Sequence, residues 1–376
     1  MAVKPNLALI PSGVKASKVY SVLPSDGVGD FDFTRSGSAT RINKNGLIET
    51  VASNVPRLNY PLIDGVVSGC PSLLLEPART NLVTNYNDFT SWVNSGSYIT
   101  ANYGISPDGS QNASRCLFTN TNQALSKNIG TNGTLSYSIY VKGVKGETIN
   151  ISMASGSDNS FTLNGEWQRL SYSDTVTNST LNINTFGGKT ARDLLIFGVQ
   201  LEAGSYSTSL IPTSGSTATR SAETCEQNLS NQVSLTEGVF YVDVTNLGRT
   251  QNANILTQNS TSNSVYGYIQ TNNRIVFGLF ANSVSVPITS SLEYEIGTRT
   301  KIAFHYKSGN SKLYVNGSLV GNSTDTFTLG SSFGDGIRLI DNASSYFAFP
   351  EKSILQEFKI YNTALTDQEL INLTKI

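Results

Sequence analysis

Strict period-two alternation is the feature that most constrains this chain. In Leu135-Ser-Tyr-Ser-Ile-Tyr-Val141 every odd position is apolar, Ile149, Ile151 and Met153 repeat the pattern, and Leu181 and Ile183 alternate with Asn182 and Asn184. Successive side chains of a strand point to opposite faces, so this pattern buries one face and wets the other, as half-buried antiparallel strands do. Turn clusters such as Gly143-Val-Lys-Gly146 separate the strands at sandwich-like spacing. Residues 81–220 therefore read as a β-sandwich of jelly-roll type. Residues 212–219, Pro-Thr-Ser-Gly-Ser-Thr-Ala-Thr, form a small-residue connector, and 221–234 read as a linker.

A second strand series fills residues 235–376. Gly238-Val-Phe-Tyr-Val-Asp-Val244 and Lys301-Ile-Ala-Phe-His-Tyr306 alternate. Asn316-Gly317 between two apolar runs is a strong hairpin signal. The last strand is Ile354–Tyr361. Thr366-Asp-Gln-Glu369 is then a capping box, with Leu370 and Leu373 as the buried stripe of a short helix. The expected fold class is all-β: two antiparallel β-sandwiches preceded by an irregular Pro/Gly-rich segment, residues 1–80. Prolines 5, 11, 24, 56, 61, 71 and 77 keep that segment's elements short, so it is expected to pack on the next domain or on a partner.

Composition narrows the function. Charged residues are only 14% of the chain, against roughly one quarter in ordinary soluble domains. The net charge is −1, with no basic stripe, so the electrostatic footprint of nucleic-acid binding is missing. No apolar run is long enough for a membrane helix. The N-terminus, Met-Ala-Val-Lys-Pro, does not read as a secretory signal, which implies folding in a cytoplasm and makes the Asn-x-Ser/Thr triplets compositional. Cys70, Cys116 and Cys225 are odd in number and widely spaced, and read as reduced, mostly buried thiols.

Two stretches carry a resemblance. The first comprises Tyr20-Ser-Val-Leu-Pro24, Phe31-Asp-Phe-Thr-Arg-Ser-Gly-Ser-Ala-Thr-Arg41, Gly46-Leu-Ile-Glu49, Asn54-Val-Pro-Arg-Leu-Asn-Tyr60 and Cys70-Pro-Ser-Leu-Leu-Leu-Glu-Pro-Ala-Arg-Thr-Asn-Leu82. It continues through Gly165-Glu-Trp-Gln-Arg-Leu170, Phe197-Gly-Val-Gln-Leu-Glu-Ala-Gly204, Ile211-Pro-Thr213 and Thr219-Arg-Ser-Ala-Glu-Thr-Cys225. Together these resemble bacteriophage fibre and spike proteins in which a leader precedes a jelly roll similar to carbohydrate-binding modules. The second stretch, Lys312-Leu-Tyr-Val-Asn-Gly-Ser-Leu-Val320 and Phe358-Lys-Ile-Tyr-Asn-Thr-Ala-Leu-Thr-Asp-Gln-Glu-Leu370, resembles the laminin-G or concanavalin A-like lectin sandwich. The resemblance implies a virion protein assembled in the host cytoplasm and attached to other virion proteins through residues 1–80. It also implies a homotrimer and host-surface polysaccharide as the ligand. Alternatives are a capsid decoration fibre with no receptor of its own, a glycan-degrading tail spike, and a bacterial lectin.

Catalytic constellations are missing from the pattern. The single histidine, His305, has no nucleophile motif beside it and reads as a strand residue on the solvent or inter-strand face. Glu293 and Glu295 alternate around Tyr294 but lack the third group of sandwich-fold glucanases, and read as a solvated edge. No short repeat of a β-helix depolymerase is visible. Sugar binding remains, because lectin sites stack a pyranose on an aromatic ring and orient its hydroxyls with amides and carboxylates. The candidates are Trp92, the pair Tyr266 and Tyr268, and the loop residues Asp341, Asn342, Tyr346 and Phe347. Trp167 reads as core. No cofactor is expected. Structural calcium is possible near that loop, although Asp341 and Asp335 alone are too few ligands to claim a site.

Overall fold

The computed structural model describes residues 3–60, 62–63, 66–67, 69–153, 158–249, 251–258, 262–340 and 351–376. The alternating runs form strands as expected. Leu135, Tyr137, Ile139 and Val141 point inward from strand Gly133–Lys142, and Ile149, Ile151, Met153, Leu181 and Ile183 meet them from the facing sheet. Each sheet of this middle sandwich has five antiparallel strands. At roughly 25 cal/mol per Å² of apolar surface, a fully buried side chain of this kind contributes about 1.5–3 kcal/mol.

The C-terminal sandwich is larger than its own sequence. One eight-stranded sheet runs Ser318–Ser323, Ser311–Val315, Arg299–Lys307, Glu237–Arg249, Glu351–Tyr361, Ser72–Leu75, Arg57–Asn59, with Leu7–Leu9 also paired to Glu351–Tyr361. The facing nine-stranded sheet begins with Val14–Lys15, Lys18–Val19 and Phe31–Thr34. It continues through Thr224–Gln227 and Ile337–Leu339 to Val284–Glu293. Residues 1–80, read from the sequence as a segment of their own, thus lend strands to both sheets. Leu7, Leu9, Leu73 and Leu75 on one side and Val19, Phe31 and Phe33 on the other lie in one core with Phe240, Phe277, Phe304 and Phe358. The stretch 221–234, read as a linker, holds a strand of the larger sheet.

The middle sandwich is consequently an insertion in the other one. Its entry and exit pair antiparallel, Arg79–Asn81 with Ala218–Arg220. Buried Asn81 locks this neck: its amide nitrogen donates to Val199 O and Ile211 O, and its oxygen accepts from Val83 N and Leu201 N.

Local signals hold at the C-terminus. Asn316 and Gly317 take positive φ, 49° and 81°, closing the hairpin between Ser311–Val315 and Ser318–Ser323. The helix Asp367–Thr374 starts with the expected reciprocal Thr366–Glu369 capping box, and Leu370 is fully buried. The helix also corrects the reading of His305. This side chain is 3% exposed, not solvated, because helix and preceding loop cover the outer face of the sheet beside Val239, Ala303 and Tyr314. Cys116 and Cys225 are buried free thiols, whereas Cys70 is exposed.

Candidate functional site: a cleft where the two sandwiches meet

The motifs that were scattered along residues 31–225 converge in space. Glu223 takes Arg35 and Arg57 together: Arg35 Nη1 donates at 2.8 Å, and Arg57 reaches both carboxylate oxygens. Arg57 Nη1 also lies 2.8 Å from Glu76 Oε2, which Arg220 approaches at 3.1 Å. Ser209 donates its N–H and hydroxyl to Glu76, and Thr208 donates both of its own to Glu202. All these charged side chains are buried. Burial alone would raise the Glu76 carboxyl, but Arg220, Arg57 and Lys352 hold it well below the ordinary carboxylate range. The network welds the N-terminal segment, the insert's exit and the C-terminal sandwich.

Beside it opens a cleft of about 490 Å³. Three parts of the chain build it. Strand Gly133–Lys142 turns Tyr137, Ile139 and Val141 into the core, so Tyr140 faces outward, with Arg169 as its cross-strand partner. Trp167, one residue before that partner's strand, is half-buried and donates its indole N–H to Ile105 O at 3.2 Å. The hairpin Ala39–Ile42 and Ile48–Val51 closes one side, and Lys352 from strand Glu351–Tyr361 closes the floor. Asn59, Asn164 and Gln168 supply amides at the rim. Trp167 and Tyr140 also line a smaller cavity of about 330 Å³ toward Ile105 and Lys142, and both rings pack partly buried against the cluster of Ile48, Phe197 and Leu210. An aromatic floor with amide and cationic groups around it is the arrangement that holds a sugar ring by stacking and its hydroxyls by hydrogen bonds.

The residues singled out from sequence are not brought together. Trp92 is 5% exposed, tilted against Phe89 at 5.3 Å between ring centroids, and belongs to the core of the inserted sandwich. Tyr266 and Tyr268 do share the outer face of the nine-stranded sheet and stack at 6.2 Å. Tyr266 is buried, however, between Tyr268 and Phe280, with its hydroxyl on Ser285. Asp341, Asn342, Tyr346 and Phe347 lie outside the described residues. Asp335 is described, but among the described residues no three His, Cys, Asp or Glu side chains gather as a metal site. Glu293 and Glu295 are exposed on either side of buried Tyr294. Trp167, which reads as core in the sequence, is half-buried: it packs against the cluster of Ile48, Phe197 and Leu210 and also lines the cleft.

A family model described as the Concanavalin A-like lectin/glucanases superfamily matches residues 214–371. No curated protein matches the chain. Among solved structures, similar ones include the CBM40 of the Ruminococcus gnavus IT-sialidase bound to alpha2,3 sialyllactose. It is 17% identical, the match covers 38% of this chain and 84% of that one, and the TM-score is 0.33. Domain 4 of AbnA, a GH43 extracellular arabinanase from Geobacillus stearothermophilus in complex with arabinotriose, is 16% identical, with 41% and 73% covered and a TM-score of 0.35. The SAP-like pentraxin from Limulus polyphemus is 16% identical, with 38% and 70% covered and a TM-score of 0.29. The matched segment, with the paired sheets described above, is a lectin-like β-sandwich of the concanavalin A kind.

Proposed function

We propose that this protein is a non-enzymatic glycan-binding subunit of a bacteriophage fibre or spike, and that the cleft at Trp167 is where a host-surface saccharide docks. The observation that carries the reading is the pair of half-buried rings, Trp167 and Tyr140, facing one cleft whose rim is amide and cation. The lectin-like sandwich supports it as a scaffold that serves carbohydrate binding in several settings, and the fibre-like motifs of residues 20–225 support the virion assignment. Attachment to the particle falls to the surface that residues 1–80 still expose after giving their strands to the sheets, including Ile10, Val22 and Val28. A homotrimer multiplies a weak single contact, since linked sites raise avidity by roughly 10²–10⁴ without new interactions.

The test is binding of the fluorescently labelled full-length chain to candidate host cells, with and without periodate oxidation of surface sugars. Binding that periodate abolishes, and that Trp167→Ala weakens by about tenfold or more, is the expected result. Absence of binding to a susceptible host would overturn the receptor role and favour a decoration fibre.

A further inference from the structure

Among the described residues, the charges around the cleft do not balance. Five cations, Arg35, Arg57, Arg169, Arg220 and Lys352, share one network with three carboxylates, Glu76, Glu202 and Glu223. Arg35, Arg57 and Arg220 are the cations that touch those carboxylates closely. Arg169 touches none. Its Nη1 donates to Thr208 O and its Nη2 to Ser138 Oγ at 2.9 Å, its Nε has no hydrogen-bond partner, and its guanidinium lies 5.4 Å from the Tyr140 ring centroid. Lys352 is held weakly. Its ammonium, with three donors, reaches Ser207 O at 3.3 Å and Glu76 Oε1 at 3.8 Å, and that carboxylate is already engaged by Arg57, Arg220 and Ser209. The Lys352 side chain is only 18% exposed. Arg169 and Lys352 are also the two cations of the network that line the cleft.

Cations removed from water without a matching anion are costly, and an anion delivered to them in a sheltered site gains accordingly. Among the described residues, the other charges at the cleft are paired locally: Arg41 with Glu49, and Lys142 at the neighbouring cavity with Glu166. Among the described residues the excess therefore lies with Arg169 and Lys352, which line the same cleft as the two rings.

Resting on the glycan-binding reading of this cleft, we infer that its ligand is an acidic saccharide, a pyranose stacked on Trp167 whose carboxylate is taken by Lys352 and Arg169. Hexuronates and sialic-type sugars share this chemistry. The carboxylate answers the cationic excess, while the side-chain NH2 groups of Asn59 and Asn164, whose oxygens already accept from Ile42 N and Glu166 N, donate to hydroxyls. A neutral sugar makes the stacking contact but leaves the two cations as they are. Affinity for the acid consequently falls with added salt, and affinity for a neutral sugar does not.

The experiment is calorimetric titration of the full-length chain with trigalacturonic acid, its methyl ester, sialyllactose and lactose. The acid is expected to bind at least tenfold more tightly than its ester, or sialyllactose than lactose, and the arm that shows the preference identifies the source of the carboxylate. Lys352→Met should abolish the preference while leaving ester or lactose binding in place. Trp167→Ala should weaken charged and neutral ligands alike. Thermal melting of each variant establishes that the fold is kept, and Arg169→Lys, which preserves the charge, should retain most of the preference. Equal binding of acid and neutral partner, or an unchanged preference in Lys352→Met, would overturn the inference and leave the glycan reading intact. No binding of any saccharide would overturn both.

Discussion

Glu223 shows how single residues hold this molecule together. Its carboxylate has Arg35 on one oxygen and Arg57 on both, and it accepts the Glu76 backbone N–H at 3.0 Å. Removing one partner of a buried ion pair leaves the other charge uncompensated and costs about 3–5 kcal/mol. Glu223→Gln keeps the shape and deletes the charge, so it should lower stability by that amount. The check is the urea midpoint of variant and parent, and a shift under about 1 kcal/mol would show that the arginines find other partners. None of this pairing was legible in sequence. Arg35, Arg57 and Glu223 lie up to 188 positions apart, and isolated charges in a chain this poor in them look like surface. The two tryptophans make the same point. Both sit in polar, short-strand contexts, and only the packing of Phe89 on Trp92 and of the Ala39–Val51 hairpin beside Trp167 decides which is fully buried and which half-buried at a cleft.

The C-terminal helix is the element whose local code was most complete. Thr366, Glu369 and Leu370 state its start and its buried side, and the structure places them accordingly. What the helix covers was not written locally, since alternation puts His305 away from Ile302, Phe304 and Tyr306 without saying what meets that face. Both ring nitrogens of His305 lack hydrogen-bond partners. Burial, and then Lys312, lower its pKa; Glu237 and Asp367 oppose this, and Lys307 adds to it. A base whose folded pKa lies below its unfolded one is held neutral in the folded state while the unfolded chain takes the proton. Stability therefore rises with pH through that window and is lost as pH falls from the ordinary histidine value, 6.5, toward the lowered one. His305→Leu, apolar and of similar bulk, should flatten the profile of melting temperature against pH between about 7 and 5. A parent and a variant with parallel profiles would remove His305 as the cause.

At the scale of the whole molecule, the strand pairing makes a prediction about where the chain can be cut. Alternation and turn signals made both sandwiches legible, because those signals act over a few residues. The weaving of residues 1–80 into both sheets was not, because Leu7–Leu9 and Ser72–Leu75 pair with partners some 280 to 350 positions away and carry no local mark of it. A fragment of residues 81–376 looks like two tidy domains in sequence, yet it deletes three strands from each sheet of the C-terminal sandwich. It strips the edge of strand Glu351–Tyr361 that Leu7–Leu9 and Ser72–Leu75 occupy, and opens the core beside Leu355 and Phe358. An unpaired strand edge over an exposed apolar core is a template for association. The fragment should therefore lose its cooperative melt and aggregate. Residues 79–220 keep both five-stranded sheets, their core and the Arg79–Asn81 to Ala218–Arg220 neck, and should melt as one unit. Calorimetry of the two fragments beside the full chain decides the matter. A sharp transition and native-like proteolytic resistance in 81–376 would mean that the N-terminal strands decorate a sandwich already complete without them.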